Sequence, residues 1–152
     1  MDIVAIDKTV QGVYDKAIRL IDAQNESTGS TTSGDTKEYR VRTIGILNNL
    51  LDVVYPASST YPTDGDGRPA LDDITGFEDE IDLDPRILRD ILPNGLAAHL
   101  LSEENPSLAE YFQQLFEEHL ASALYGVRAK FESVDDALPY GGIEFGRFSR
   151  WL

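Results

Sequence analysis

His99 and His119 are the only imidazoles in the chain, and each falls at helical spacing beside an apolar stripe. The short stretch SEENP, residues 102–106, separates the two stripes, so their helices are expected to be antiparallel neighbours. Joined by Glu103 or Glu118, such a pair could ligate a transition metal and run hydrolytic chemistry. The Glu-x-x-His spacing of helical-bundle metal sites is missing, however. The plainer reading is a core-edge histidine hydrogen-bonded to a carbonyl. His99 also sits in DILPNGLAAHLL, residues 90–101, where Pro93 and Gly95 interrupt an otherwise helical pattern. That combination suits either a strained active site or a packing device.

The remaining chemistry-bearing stretches are weaker. DGDGRPALDD, residues 64–73, opens like a calcium loop, but Arg68 and Pro69 stand where an EF-hand needs an oxygen ligand and a glycine. Thr75 takes the place of the closing acid, which leaves only an irregular calcium site open. FEDEIDLD, residues 77–84, has carboxylates for acid–base work but no nucleophile or phosphate loop beside it. YGGIEFG, residues 140–146, is not followed by a helix and so is no dinucleotide fingerprint. With no cysteine in the chain, thiolate metal sites, cysteine nucleophiles and disulfides all fall away. The residues therefore predict neither an enzyme nor a bound cofactor or metal.

Charge is the strongest bulk signal. The 152 residues carry a net charge of −14, which disfavours gripping a polyphosphate. Residues 61–90 hold 10 acids against 3 bases, whereas the last 16 residues hold Glu144 against Arg147 and Arg150. An acidic body thus ends in a slightly basic, aromatic tail. The N-terminus has no secretory pattern, and no window approaches the ~18 apolar residues of a membrane span.

Four helices are expected to position these groups. The first covers about residues 8–24, with Val10, Val13, Tyr14, Ala17, Ile18 and Ile21 on one face. NESTGSTTSGD, residues 25–35, then reads as a solvated loop. The second helix runs from about Thr36 to Tyr55, capped by Asp35 with Glu38 completing a capping box. Its stripe is Val41, Ile44, Leu47, Leu51 and Val54, widened by Leu50, and Pro56 stops it. Residues 56–83 form a long irregular loop with one short extended piece around Leu71–Phe77 and no full sheet. The third helix starts with Asp84 as N-cap and Pro85 in its first turn, buries Ile87, Leu88, Ile91, Leu92, Leu96 and His99 or Leu100, and kinks or breaks at Leu92–Pro93. The fourth spans about Pro106 to Phe131 behind an Asn105 cap. Its stripe of Leu108, Tyr111, Phe112, Leu115, Phe116, His119, Leu120, Ala123, Leu124 and Val127 marks it as the central helix. The expected class is therefore mainly α. A four-helix bundle-like domain over residues 1–136 carries the inserted 56–83 loop, and residues 137–152 form an extended arm.

Residues 79–120 combine an acidic lead-in, the pattern LP-x-GLAA-x-LL, a short acidic turn, and YFQQ-x-F-EE. With the upstream stretch VYDKAIRLIDAQNESTGSTTSGDTKEYRVRTIGILNNLLDVVYP, this resembles the head–tail connector, or adaptor, proteins of tailed bacteriophages and prophages. Asn94 departs from the pattern, standing where an aromatic residue is more familiar. The resemblance implies a structural virion protein at the neck, made in the host cytoplasm. Its protomers would form a homo-oligomeric, twelve-fold ring below the portal protein and above the next neck or tail-completion protein. DNA would pass through without specific binding. The arm residues Tyr140, Ile143, Phe145, Arg147, Phe148, Arg150 and Trp151 would dock on the portal. Asp64, Asp66, Asp72, Asp73, Glu78, Asp79 and Glu80 would line the channel or a contact between subunits. The alternatives are a tail-completion or minor head protein of the same particle, a small metal-dependent helical enzyme using His99 and His119, and an acidic partner-binding module that mimics DNA.

Overall fold

Asp7, Thr9 and Gly12 together start the first helix. The Asp7 carboxylate accepts from the Thr9 N–H at 2.9 Å and from its hydroxyl at 2.6 Å, while the Thr9 hydroxyl oxygen accepts from the Gly12 N–H at 3.2 Å. A side chain at position 12 would collide with Asp7, since a Cβ there would lie 2.7 Å from its Cγ. These bonds to the carboxylate hold Asp7 below the usual carboxylate range. The computed structural model describes residues 5–23, 26–62, 65 and 67–126.

Among these residues the chain is mainly helical: α1 (Val10–Leu20), α2 (Lys37–Val54), α3 (Leu92–Leu101) and α4 (Pro106–Gly126). A single 3-10 turn, Tyr55–Ala57, extends α2, and a π-helical segment, Ile87–Ile91, leads into α3. No strand occurs among the described residues; one isolated antiparallel bridge joins Thr9 to Glu80.

α1 buries Val10, Val13, Tyr14, Ala17 and Ile18, the face its periodicity predicts. It is shorter than expected because Asp22 adopts a φ of 56° just beyond it. The polar loop that follows is anchored rather than merely solvated. The Tyr14 hydroxyl donates to the Thr31 carbonyl at 3.1 Å, and the Thr31 hydroxyl donates to Asp15 at 2.6 Å.

The expected capping box on α2 does not form. Thr36, not Asp35, precedes the helix, and its buried hydroxyl donates to the Thr31 carbonyl at 2.9 Å instead of capping. The stripe also rotates. Tyr39, Thr43, Leu47, Leu50, Leu51 and Val54 are buried, whereas Val41 is 75% exposed. A helix with apolar residues on several sides has no unique inward face until its neighbours choose one.

The helix is not broken at Leu92–Pro93. The chain passes into α3 through the π-helical segment, in which the Leu92 N–H donates to the Ile87 carbonyl. The wider turn shifts the register, and the Asn94 side-chain amide donates to the Asp90 carbonyl. Asp84 precedes the helix as expected, but its carboxylate turns back to accept from the Ser59 N–H at 2.8 Å. Lys16 reaches across from α1 to donate to the Leu88 carbonyl at 3.5 Å. Burial, reinforced by nearby Arg89, lowers its pKa.

The central helix is α3 rather than α4. Every residue from Leu92 to Leu101 is buried except His99, and α3 packs against each of the other three helices. Gly95 makes this possible: a Cβ there would lie 2.9 Å from the Phe116 ring and 3.1 Å from Leu50. α4 contributes only Ala109, Phe112, Phe116 and Ala123 as buried residues, and leaves Tyr111 and Leu124 exposed. Its start follows expectation, with the Asn105 side chain accepting from the Leu108 N–H at 3.2 Å.

Candidate functional site

The long connection between α2 and the π-helical segment is held down by backbone recognition. The Asn48 side chain donates to the Ile74 carbonyl at 3.0 Å and accepts from the Ile74 N–H at 2.8 Å. On the α1 side, the Val10 N–H donates to the Asp79 carbonyl at 3.0 Å, the Gln11 N–H to Phe77 at 2.9 Å, and the Ile81 N–H to Lys8 at 2.9 Å. Phe77 inserts edge-on against Tyr14, their ring centroids 5.5 Å apart, and the Arg40 guanidinium lies 3.8 Å above the Phe77 ring. Gln11 accepts from Arg40 at 2.9 Å, so cation, ring and amide close over the connection together.

This anchoring divides the acidic residues into two kinds. Asp79 is structural: its carboxylate accepts from the Thr75 N–H at 2.8 Å, the Gly76 N–H at 3.0 Å and the Thr75 hydroxyl at 3.1 Å. Those bonds hold it below the usual carboxylate range. Asp72, Asp73, Glu78 and Glu80 stand exposed. Among the described residues no hydrogen bond engages their carboxylates. Asp64 and Asp66 lie outside the described residues, as do the arm residues Tyr140, Ile143, Phe145, Arg147, Phe148, Arg150 and Trp151.

The histidines take different environments. His99, placed by its spacing on the apolar stripe, is instead the exposed residue of α3, and Leu100 is fully buried in its place. His119 is half-buried on α4, with Nδ1 buried and without a hydrogen-bond partner among the described residues. Among those residues no group of three or more His, Cys, Asp or Glu side chains could hold a metal ion.

Two surface features were missed at the level of sequence. The first is an open groove of about 780 Å³ beside α2, mostly polar in its lining: Arg42, Asn48, Asn49, Asp52, Asp73 and His99 join Val41, Gly45 and Ile46 there. Gly45 was its one available signal, as a glycine inside a helix without an obvious packing partner. The second adjoins it at the start of α2. Tyr39 donates to Glu104, and Arg42 donates to the Leu100 carbonyl at 2.7 Å, satisfying the end of α3. Burial first, and the adjacent Glu104 carboxylate second, push the Tyr39 hydroxyl up to about 12.

No helix among the described residues is long and apolar enough to cross a membrane. Comparison with protein-family models, with curated proteins and with solved structures finds no match for the chain.

Proposed function

We propose that this chain is a structural subunit of a phage-type head–tail junction, a connector or adaptor whose copies assemble into a ring that prolongs a DNA channel below a portal. The observation that carries the reading is the acidic connection laid over the helices. Asp72, Asp73, Glu78 and Glu80 point into solvent while the fold uses other groups to hold the segment in place. Carboxylates presented in this way repel a passing phosphate backbone, so the DNA moves without sticking.

The protomer in this reading is a four-helix bundle around α3, with residues 137–152 as the portal-docking arm. The resemblance of residues 79–120 to connector proteins supports it, and so does the use of the polar side chains. Asp7, Asp79, Asp84, Asn48 and Asn94 all hold backbone, which suits a part that must keep its shape under force.

The test is co-assembly of the purified chain with candidate portal proteins, followed by imaging of the complex. The expected result is a ring on the portal's lower face. Removing residues 137–152 is expected to leave the helical body folded and to abolish docking. Undiminished docking by the truncated chain overturns the role of the arm, and a location outside the neck overturns the reading itself.

A further inference from the structure

We propose that Lys16 is a register pin: its side chain supplies the hydrogen-bond donor that Pro93 cannot, and so holds residues 87–91 in the π-helical register against an α-helical alternative. The inference stands apart from the head–tail junction reading, since it rests on hydrogen bonding within the protomer.

The Leu88 carbonyl is the first reason. In a π-helix a carbonyl accepts from the N–H five residues on, which for Leu88 is position 93, and Pro93 has no N–H. The donor four residues on, the Leu92 N–H, is committed to the Ile87 carbonyl. Leu88 is fully buried, so its carbonyl needs a partner from within the protein. The Lys16 Nζ donates to that carbonyl from α1, at 3.5 Å.

Lys16 is brought there against resistance. Burial first, and Arg89 second, disfavour its charge, while Asp7 and Asp90 favour it. A lysine swung out into water would avoid the burial, yet this one stays half-buried over the π turn.

The other register is within reach. In an α-helix the Leu92 N–H would donate to Leu88, and the carbonyl left without a donor by Pro93 would be that of Arg89. Arg89 is exposed, where water serves as the donor. The Leu88 carbonyl thus has two alternative donors, Lys16 in one register and Leu92 in the other. The π register buries Ile87, Leu88, Ile91 and Leu92 together, and Lys16 completes its hydrogen bonding. Without Lys16 the same packing leaves a buried carbonyl unpaired, and the balance moves to the α register.

The consequence reaches the acidic connection. Conversion turns one end of the segment by about 100° and moves it about 1.5 Å relative to the other. α3 is buried at every residue but His99, and its Gly95 lies against Phe116, so the movement falls on the upstream end. That end carries Asp84, whose carboxylate accepts from the Ser59 N–H at 2.8 Å and its hydroxyl at 2.5 Å. It also carries Arg86, which donates to the Ser122 hydroxyl at 3.1 Å. Conversion breaks both contacts, so Lys16 on α1 governs how the connection is seated on the helices.

The experiment uses the full chain, isotopically labelled, and reads the scalar coupling across individual hydrogen bonds by NMR. Wild type is expected to couple the Leu92 nitrogen to the Ile87 carbonyl carbon. Lys16→Met keeps an apolar stem and removes the donor; it is expected to move that coupling to the Leu88 carbonyl and to shift the Ser59 amide resonance. Pro93→Ala restores an N–H that serves either register. In that background Lys16→Met is expected to shift the urea midpoint less than half as far as in the wild-type background. Should Lys16→Met alone not fold, the double variant Lys16→Met, Pro93→Ala is expected to fold. A wild type or a folded Lys16→Met that shows the opposite coupling overturns the proposal. So do equal midpoint shifts in the two backgrounds, or an unfolded double variant where Pro93→Ala alone is folded.

Discussion

Asn48 holds Ile74 as a neighbouring strand would, giving one hydrogen bond to its carbonyl at 3.0 Å and taking one from its N–H at 2.8 Å. Ile74 is buried, so its two main-chain groups need partners that no strand supplies. Asn48→Ala is expected to cost about 2–3 kcal/mol, two hydrogen bonds' worth with a buried amide left unpaired. Hydrogen exchange at the Ile74 amide checks this. Unchanged protection there would show that the segment is held by something other than Asn48.

Gly95 and Gly45 are expected to respond to the same substitution with opposite signs. Gly95→Ala forces the Phe116 ring or Leu50 to move, costing about 1–3 kcal/mol, only part of which the gain in helix propensity of about 1 kcal/mol offsets. Gly45→Ala meets no atom within 4 Å and should stabilise an isolated protomer by up to about 1 kcal/mol. Denaturant midpoints of the two variants, measured where the protein is monomeric, decide the matter. Equal shifts would contradict the packing at Gly95.

Alkaline stability should depend on Tyr39. Its hydroxyl titrates at about 12 in the folded chain against an ordinary value of 10.0. Between those values the folded state holds the proton that the unfolded state has released, so stability falls as pH rises through this window. Below it the contribution is fully present. Tyr39→Phe removes the titration, and its unfolding free energy should decline less steeply than that of wild type above pH 10. Parallel slopes for the two proteins would rule out the Tyr39–Glu104 contact as the cause.

On the acid side the sensitive group is Asp79. Its folded value lies below the ordinary 3.8 because three donors from Thr75 and Gly76 favour the carboxylate. The stability it confers is present above that ordinary value and is lost as pH falls through the lower, folded one. Asp79→Asn should lower the melting temperature at neutral pH and flatten the acid limb of the stability curve. An acid limb as steep as that of wild type would place the effect on other carboxylates.

Much of the helical layout was legible because its signals are local. The α1 stripe, the Asn105 cap, the Gly95 packing device and the absence of a sheet among the described residues of the connection all follow from side-chain period and backbone restriction. The resemblance to connector proteins rests on the same kind of pattern. Pro93 shows where local reasoning stops. It forbids a regular α-helical hydrogen bond, but whether the chain bends, breaks or widens into a π turn depends on packing around the helix.

The sequence by itself determined a mainly helical, acidic, cysteine-free chain with a long connection between its second and third helices. Only the tertiary structure decided that α3 is central, that Val41 faces outward and that Asp79 is structural. It also separated His99, exposed, from Leu100, buried. The physical reason is that a helix period shows which residues share a side, whereas only neighbouring elements determine which side is removed from water. For α2, with apolar residues on several sides, that choice left Val41 and Gly45 as a groove on the protein's surface.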